Sequence, residues 1–293
     1  MPEKEYFMSI KIVSDSSSNI FRIDGTDFVS VPMKVIAAKE YVDTEALDLK
    51  GMVEDLQQHK GKSGSSCPNV QEWLDAFGNA DEIFGVTISK NLSGSYNSAK
   101  QAAQLYMEAN PGKKVFIFDT LTAGPHQAMI IDKLNELIQA GLDYETVRVQ
   151  AQEYADHVHI LFCLESMNNL ARNGRVSPAV AKIAGLLGIR VVGGAPNGFI
   201  TPEHKPRGQK KAIETLVEMM TQRGLHNGSL VRVAHCFGEA QAQALKDALL
   251  VKFPGIRFVT EPTTALCSFY AEAGGLMIGM EGGYNEANKD REF

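Results

Sequence analysis

The sequence predicts an α/β protein of two lobes, and three features support this prediction. With 293 residues the chain is longer than one ordinary domain and fits two domains of about 100–200 residues each. Short apolar, β-branched runs alternate with longer stretches that carry apolar residues at three- and four-residue spacing, which is typical of a mostly parallel sheet covered by helices. In the second half, the turn Asn197-Gly198 separates two extended runs and predicts an antiparallel hairpin.

In the first half, predicted strands and helices follow one another in regular order. Ser93 and Ser95 can cap the helix that follows Ile88, and Pro68 suits the first turn of another helix. The predicted strands cover residues 10–13, 28–36, 82–88 and 114–118, and the predicted helices cover residues 44–59, 93–109, 124–139 and 144–156.

The second half combines the predicted hairpin with further helices and strands. The predicted strands cover residues 159–165, 189–194, 199–204, 230–236, 256–261 and 275–280, and the predicted helices cover residues 178–187, 207–222 and 239–251. A domain boundary is expected near His157, where the helix over residues 144–156 ends. We therefore expect one domain over residues 1–157 and a second over residues 158–293.

Composition narrows the class of protein. The 35 acidic and 29 basic residues give a formal charge of −6 with no cluster of cations, which argues against a nucleic-acid surface. The four cysteines are far apart and form no Cys-x-x-Cys pair, which favours buried free thiols in a reducing compartment. No apolar run approaches the ~20 residues of a membrane span. We expect a cytoplasmic protein without stable membrane insertion.

Several motifs of cofactor and metal sites are missing from the sequence. Gly61-Lys62-Ser63 resembles the end of a phosphate-binding loop, but Leu56 stands where the motif requires glycine. Neither Gly-x-Gly-x-x-Gly after the first strand nor Gly-x-Ser-x-Gly is present. His157 and His159 are two residues apart and read as a surface and a core histidine rather than as metal ligands. We therefore expect no cofactor and no metal.

Hydroxyl groups are concentrated after predicted strands. The carboxyl ends of strands in an open α/β sheet border the ligand crevice, so three such loops can converge there. Hydroxyls and free helix N-terminal amides favour an anion, although serines in these places also serve as ordinary helix caps. The three groups are Ser14 with Ser16–Ser18, then Ser63 with Ser65 and Ser66, and lastly Ser89 with Ser93, Ser95 and Ser98.

Six segments in this order resemble the DegV family of bacterial fatty-acid-binding proteins. The strongest is Ser89–Ala99, which is close to the family's Leu-Ser-Gly-Thr-Tyr signature, and Ser65-Ser66-Cys67-Pro68 falls where the family has Thr-Ser-Gln-Pro. The resemblance covers nearly the whole chain. The remaining segments are Ile12–Ser17, Asp119-Thr120, Leu170 with Gly174–Ser177, and Lys205–Gly208.

The resemblance implies a two-lobed DegV-like fold. An N-terminal, mostly parallel sheet with flanking helices is expected beside a C-terminal mixed α/β lobe that contains the hairpin, with the ligand between the lobes. The family binds a fatty acid and presents its carboxylate to a separate fatty acid kinase, which makes acyl phosphate for phospholipid synthesis. The implied protein is a carrier rather than an enzyme, and we expect a monomer.

The same resemblance suggests binding residues. Ser65 and Ser93 fall at the family's carboxylate-binding threonine and serine, and Ser66 takes the role of Ser65 if the alignment shifts by one residue. Arg175 and Arg207 lie in family segments implicated in docking to the kinase. The helix after Pro178 offers an apolar lining for the acyl tunnel through Val180, Ile183, Ala184 and Leu187.

One segment near the C-terminus departs from the family. Many members have a His-x-Gly-Pro-Gly block there, whereas this chain has Tyr270-Ala271-Glu272-Ala273-Gly274. The hydroxyl of Tyr270 can donate a hydrogen bond to a carboxylate but cannot become cationic. Glu272 would repel a carboxylate if its side chain faced the ligand.

Three other functions stay open at this stage. The departure at Tyr270 allows a different amphipathic carboxylate or an isoprenoid-like ligand. A serine-dependent acyl hydrolase would use Ser93 as its nucleophile, but no histidine lies near it in the sequence to act as a base. A regulatory module for a polar ligand would have side chains filling the tunnel.

Overall fold

A computed structural model of the chain describes residues 8–184 and 187–286. It has two large β-sheets and one small one, with helices packed around them. The strands are β1 (Ile10–Asp15), β2 (Asp27–Val31), β3 (Lys34–Ile36), β4 (Glu40–Val42), β5 (Gly64–Ser66), β6 (Glu82–Thr87), β7 (Lys114–Asp119), β8 (Val158–Leu164), β9 (Val191–Gly194), β10 (Thr201–His204), β11 (Leu230–His235), β12 (Arg257–Pro262) and β13 (Leu276–Glu281). The helices are α1 (Leu49–Gln58), α2 (Val70–Phe77), α3 (Ser95–Ala109), α4 (Pro125–Gln139), α5 (Tyr144–Ala155), α6 (Asn168–Arg172), α7 (Pro178–Ala184), α8 (Gln209–Gln222), α9 (Glu239–Lys252) and α10 (Ala265–Ala271).

The first large sheet is parallel throughout, in the order β2-β1-β6-β7. Helices α4 and α5 cover one face and α2 and α3 cover the other, so β6 is buried along its whole length. Parallel strands with helices on both faces are expected to have apolar centres, as in Ile83–Val86 of β6. The predicted parallel sheet is confirmed.

The second large sheet is mixed, in the order β10-β9-β8-β13-β11-β12. Only β11 and β12 pair in parallel, and the other neighbours are antiparallel. The predicted hairpin is β9 and β10, and its turn holds Asn197 and Gly198 at positive φ angles of 52° and 79°. Asparagine and glycine tolerate this left-handed backbone better than other residues do. The predicted mixed lobe with a hairpin is confirmed.

The small sheet, β4-β3-β5, is antiparallel and was not predicted. The sequence pattern indicated one strand over residues 28–36, but the structure divides this segment into β2 and β3, with Pro32 between them. Proline has no N–H to donate to a sheet ladder, so the chain leaves the parallel sheet there. After the break, β3 pairs with β4 and β5.

Other predicted boundaries shift by a few residues, and two helices are new. The helix predicted over residues 44–59 begins at Leu49, because Asp48 accepts a hydrogen bond from the Gly51 N–H and so caps it. Short helices α6 and α10 were not predicted. His157 is exposed and His159 is buried, which confirms the surface and core assignment.

The two halves of the chain contact each other directly. The parallel sheet uses strands before His157 and the mixed sheet uses strands after it, yet α4 packs against β11 and β13. Arg232 on β11 forms ion pairs with Asp132 on α4 and with Glu261 on β12. The division at residue 157 stays a prediction.

The described residues hold no long apolar helix of the length that a bilayer crossing needs. Within the same residues there is no group of three or more His, Cys, Asp or Glu side chains arranged to hold a metal ion. All four cysteines are free thiols. Burial raises the pKa of the Cys163 thiol to about 12, so it is an unreactive apolar side chain at neutral pH.

Candidate functional site

A cavity of about 300 Å³ lies where the two halves meet. This volume is at the lower end of the range for sites that bind small molecules. Its lining is mostly apolar, with side chains from the parallel sheet, the small sheet and the mixed sheet. The polar side chains in the lining are Ser65, Ser66, Ser93, Thr122, Arg175 and Tyr270.

The loop between β6 and α3 holds Ser93 in place. The N–H groups of Leu92 and Ser93 both donate to the carbonyl of Ser89, at 3.0 and 3.1 Å. The Ser89 hydroxyl donates to the carbonyl of Gly198 at 3.0 Å, which fastens this loop to the hairpin of the second half. The hydroxyl of Ser93 accepts a hydrogen bond from the N–H of Ser95 at 3.3 Å. Ser93 thus lines the cavity from the loop just before α3.

The second hydroxyl group comes from the small sheet and α10. Ser65 on β5 and Tyr270 on α10 are 205 residues apart, and their hydroxyl oxygens lie 2.8 Å from each other. The Cys67 sulfur lies 3.3 Å from the place that a Cβ on Gly94 would occupy, so the end of β5 is next to the start of α3. The structure therefore brings the predicted residues Ser65, Tyr270 and Ser93 to one cavity, with Ser66 beside them.

The two arginines predicted to dock a kinase occupy different places. Arg175 is half-buried and lines the cavity, where its Nε donates to the carbonyl of Leu92 at 3.0 Å and its Nη1 donates to the carbonyl of Asn173. Arg207 is exposed and pairs through its backbone with Ile189. The guanidinium of Arg175 is thus the formal charge closest to the hydroxyl groups among the described lining residues.

Two of the predicted tunnel residues, Val180 and Leu187, are not among the described residues that line the cavity. The prediction that Leu187 lines the tunnel is wrong. This side chain is 91% exposed and lies beyond the end of α7, so it does not continue the apolar face of that helix. Val180 packs instead against a core cluster that includes Leu170 and Ala181. The side chains of Ile183 and Ala184 lie outside the described residues. The apolar lining comes mainly from Ile160, Phe162, Leu164, Ile200, Leu266 and Met277.

Glu272 does not face the cavity, so it does not bring a negative charge to the site of a ligand's carboxylate. Its carboxylate accepts a hydrogen bond from the Asn169 N–H at 3.1 Å, and Glu272 is not among the described lining residues. Those lining residues include no histidine and no carboxylate. A serine nucleophile at Ser93 therefore lacks a base in the cavity lining.

The first serine group serves the core rather than the cavity. Asp15 at the end of β1 is buried and accepts hydrogen bonds from Ser17 at 2.5 Å, Ser95 at 2.6 Å and Gln127 at 3.0 Å. The Ile88 N–H also donates to it at 3.0 Å. Of the three loops expected to converge on a ligand, this one instead fastens the loop before α3 to the end of β1. Asp15 was missed as a structural centre, although its place at the end of a buried strand was a signal for it.

Comparisons with known proteins identify the family. A family model described as an uncharacterised protein of the DegV family matches residues 9–281. DegV domain-containing proteins of Streptococcus gordonii and Streptococcus pneumoniae are 36% and 37% identical over 280 residues, covering 94% of this chain and 99% of each relative.

Two solved structures are also similar and contain fatty acids. A DegV family protein from Eubacterium eligens, loaded with heptadecanoic acid, is 35% identical with a TM-score of 0.91. The fatty acid kinase (Fak) B3 protein of Streptococcus pneumoniae, loaded with linoleic acid, is 36% identical with a TM-score of 0.92. Each comparison covers 94% of this chain and 100% of the other. The chain therefore belongs to the DegV family.

Proposed function

We propose that this protein binds a long-chain fatty acid in the cavity and presents its carboxylate to a separate fatty acid kinase. The observation that carries the proposal is the meeting of Ser65, Ser93 and Tyr270 in a cavity that is otherwise apolar. Hydroxyl donors suit a carboxylate, and the apolar walls suit an acyl chain. The fatty acids held by the related proteins from Eubacterium eligens and Streptococcus pneumoniae support this ligand class.

Most of the binding free energy is expected from the acyl chain of the ligand rather than from its head group. Burying one methylene contributes about 0.8 kcal/mol, so roughly fifteen methylenes supply on the order of 10 kcal/mol before the costs of binding. The hydroxyls then need only to orient the carboxylate. In this proposal Ser65 and Ser93 contact the carboxylate, Ser66 lies beside them, and Tyr270 stands where many family members have histidine.

The protein acts as a cytoplasmic carrier in this proposal and leaves phosphorylation to its partner. Exposed Arg207 is proposed to dock the kinase, whereas Arg175 lines the same cavity as the hydroxyl groups and is proposed to act at the carboxylate when the kinase is bound. The relative named as a fatty acid kinase B3 protein supports a kinase as the partner. A different amphipathic carboxylate is the second candidate ligand, because Tyr270 offers a neutral hydroxyl.

The first experiment is mass spectrometry of the purified protein, in its native state and after extraction with organic solvent. We expect one fatty acid per chain. Protein that carries no fatty acid and does not bind added linoleic acid would contradict the proposal.

A coupled assay with a bacterial fatty acid kinase and ATP tests the partner. Arg207→Ala is expected to retain linoleic acid and to lose most acyl phosphate formation, because its side chain is exposed and away from the lining. Arg22→Ala is the control, since this side chain is 81% exposed in the first half of the chain. Unchanged turnover with Arg207→Ala would remove this arginine from the docking surface.

A further inference from the structure

Asp43 is a buried carboxylate that holds the start of α10. It follows β4 directly and is 1% exposed. Its Oδ1 accepts a hydrogen bond from the Ala265 N–H at 2.8 Å, and its Oδ2 accepts one from the Leu266 N–H at 3.2 Å. The first N–H groups of a helix have no partner within the helix, so Asp43 satisfies two of them from a distant part of the chain.

Two hydroxyls complete the surroundings of this carboxylate. Ser16, in the turn after β1, donates to Oδ2 at 2.9 Å, and Thr264 donates to the same oxygen at 3.1 Å. Burial raises the pKa of the Asp43 carboxyl, and the four hydrogen bonds offset part of the cost of burying its negative charge. Asp43 therefore joins the parallel sheet, the small sheet and α10 at one point.

The other end of α10 is attached to the same small sheet. Tyr270 near the end of the helix bonds to Ser65 on β5, and β4 and β5 are the two neighbours of β3. Residues 265 and 270 are five apart, which is about 7.5 Å along a helix. Movement of the helix start relative to β4 would therefore change the distance between Tyr270 and Ser65. Leu266, Tyr270 and Ala271 all line the cavity.

The pair formed by Ser65 and Tyr270 offers a defined number of donors. Each hydroxyl has one proton, and the bond between the two oxygens uses one of them. The other proton is available to the cavity whichever hydroxyl is the donor. If Tyr270 moved away, the two hydroxyls would no longer orient each other, and the remaining donor would lose its fixed direction.

We propose that Asp43 is a positioning residue for the head-group site: by fixing the start of α10 to the small sheet, it holds Tyr270 against Ser65 and so orients one hydroxyl proton toward the ligand's carboxylate. This inference rests on the proposed function, and it assigns to Asp43 a part in the selectivity of the head-group site for a carboxylic acid. Asp43 does not itself touch the ligand.

The test compares two ligands that differ only at the head group, linoleic acid and linoleyl alcohol. Asp43→Asn keeps the size of the side chain but puts an NH₂ group where one oxygen accepts hydrogen bonds, so the start of α10 loses acceptors. We expect its affinity for the acid to fall about tenfold more than its affinity for the alcohol. Tyr270→Phe leaves the Asp43 contacts intact and is expected to have the same effect. The double variant should lose no more acid affinity than the single variant with the larger loss.

Asp48→Asn is the matched control. Asp48 also caps a helix by accepting a backbone hydrogen bond, from Gly51 at 3.0 Å, but it is exposed and α1 gives no side chain to the described lining. We expect this variant to lose stability without changing the ratio of acid to alcohol affinity. If Asp43→Asn does not fold, Thr264→Val replaces it, because this variant keeps the carboxylate and removes the hydroxyl that contacts both Asp43 and Asn19.

Two results would overturn the inference. Equal losses for acid and alcohol would show that Asp43 acts only on stability, and additive losses in the double variant would show that it does not act through Tyr270. Failure of the unmodified protein to bind linoleic acid is a separate result, and it would reject the proposed function and the inference together.

Discussion

The two halves of the chain make different contributions to one cavity. The first half supplies hydroxyls from short segments beside the parallel sheet, such as Ser65, Ser93 and Thr122. The second half supplies mostly apolar walls, with Phe162 and Leu164 from β8. The difference shows how one binding site can combine two kinds of sheet. The parallel sheet contributes the ends of its strands, and the mixed sheet contributes one of its faces.

The physical reason lies in how each sheet is covered. The parallel sheet has helices on both faces, so only the ends of its strands can reach a ligand. Along β8, by contrast, successive side chains point to opposite faces. Leu161 and Cys163 belong to the core under α8 and α9, while Phe162 and Leu164 pack on the side of α10 and the cavity. The mixed sheet can therefore build a core and an apolar wall with the same strand.

The largest effect is expected from a hydroxyl of the first half. Ser93→Ala should weaken linoleic acid binding about 10- to 100-fold, because a hydrogen bond to a charged group contributes about 1.5–3 kcal/mol. Binding of linoleyl alcohol should change much less. Equilibrium binding of both ligands by competition with a fluorescent fatty acid measures the difference.

Ser98→Ala is the control for this variant. Ser98 also lies on α3 but is not among the described lining residues. Equal weakening of acid and alcohol by Ser93→Ala would contradict the separation of polar and apolar contributions between the halves.

A smaller effect is expected from the apolar wall, and it should not depend on the head group. Ile200→Ala removes apolar surface from a half-buried lining residue of the second half. Losing contact with about one methylene corresponds to roughly 1 kcal/mol, so affinity should fall three- to tenfold. The same assay should find equal losses for linoleic acid and linoleyl alcohol. Val251→Ala, at a side chain that is 88% exposed, is the control.

A selective loss of acid binding by Ile200→Ala would break the comparison, because it would place this apolar wall residue at the head group. Together, the Ser93 and Ile200 variants distinguish the residues that bind the head group from those that contact the acyl chain, without requiring a structure of the complex.

The sequence predicted the polar part of this site better than the apolar part. Ser93 follows a predicted strand, and a local rule about strand ends indicated it, whereas Ser65 lies on a strand that was not predicted and was indicated by the family resemblance. The family resemblance added Tyr270, although only the structure shows its contact with Ser65. Asp43 had no local signal, because its partners are residues 16 and 264–266.

The wrong prediction that Leu187 lines the tunnel has a similar explanation. The segment after Pro178 has an apolar helical pattern, which does not distinguish a ligand wall from a core or from an exposed end. Leu187 is exposed, and Val180 joins the core. The wall that the structure shows depends on which face of β8 meets α10, and this pairing joins residues more than 100 positions apart. Periodicity within one segment cannot supply that information.

The smallest predicted effect concerns pH and the strand that forms the wall. His159 on β8 is buried, and its Nε2 lies 2.9 Å from the carbonyl oxygen of Gly283. Burial lowers the pKa of His159 below the usual value of about 6.5. Below pH 6.5 the unfolded chain therefore binds a proton at this residue more readily than the folded chain does, so the free energy of unfolding decreases as the pH falls.

His159→Gln keeps an amide donor for the Gly283 carbonyl but cannot bind a proton in this range. Its free energy of unfolding, measured by urea denaturation at pH 7.5 and 5.5, should decrease less on acidification than that of the unmodified protein. His157→Gln is the matched control, because His157 lies two residues earlier and is exposed. Identical decreases for the unmodified protein and His159→Gln would assign the acid sensitivity to other groups. A larger decrease for the unmodified protein would instead assign an acid-sensitive point to β8, the strand whose Phe162 and Leu164 line the cavity.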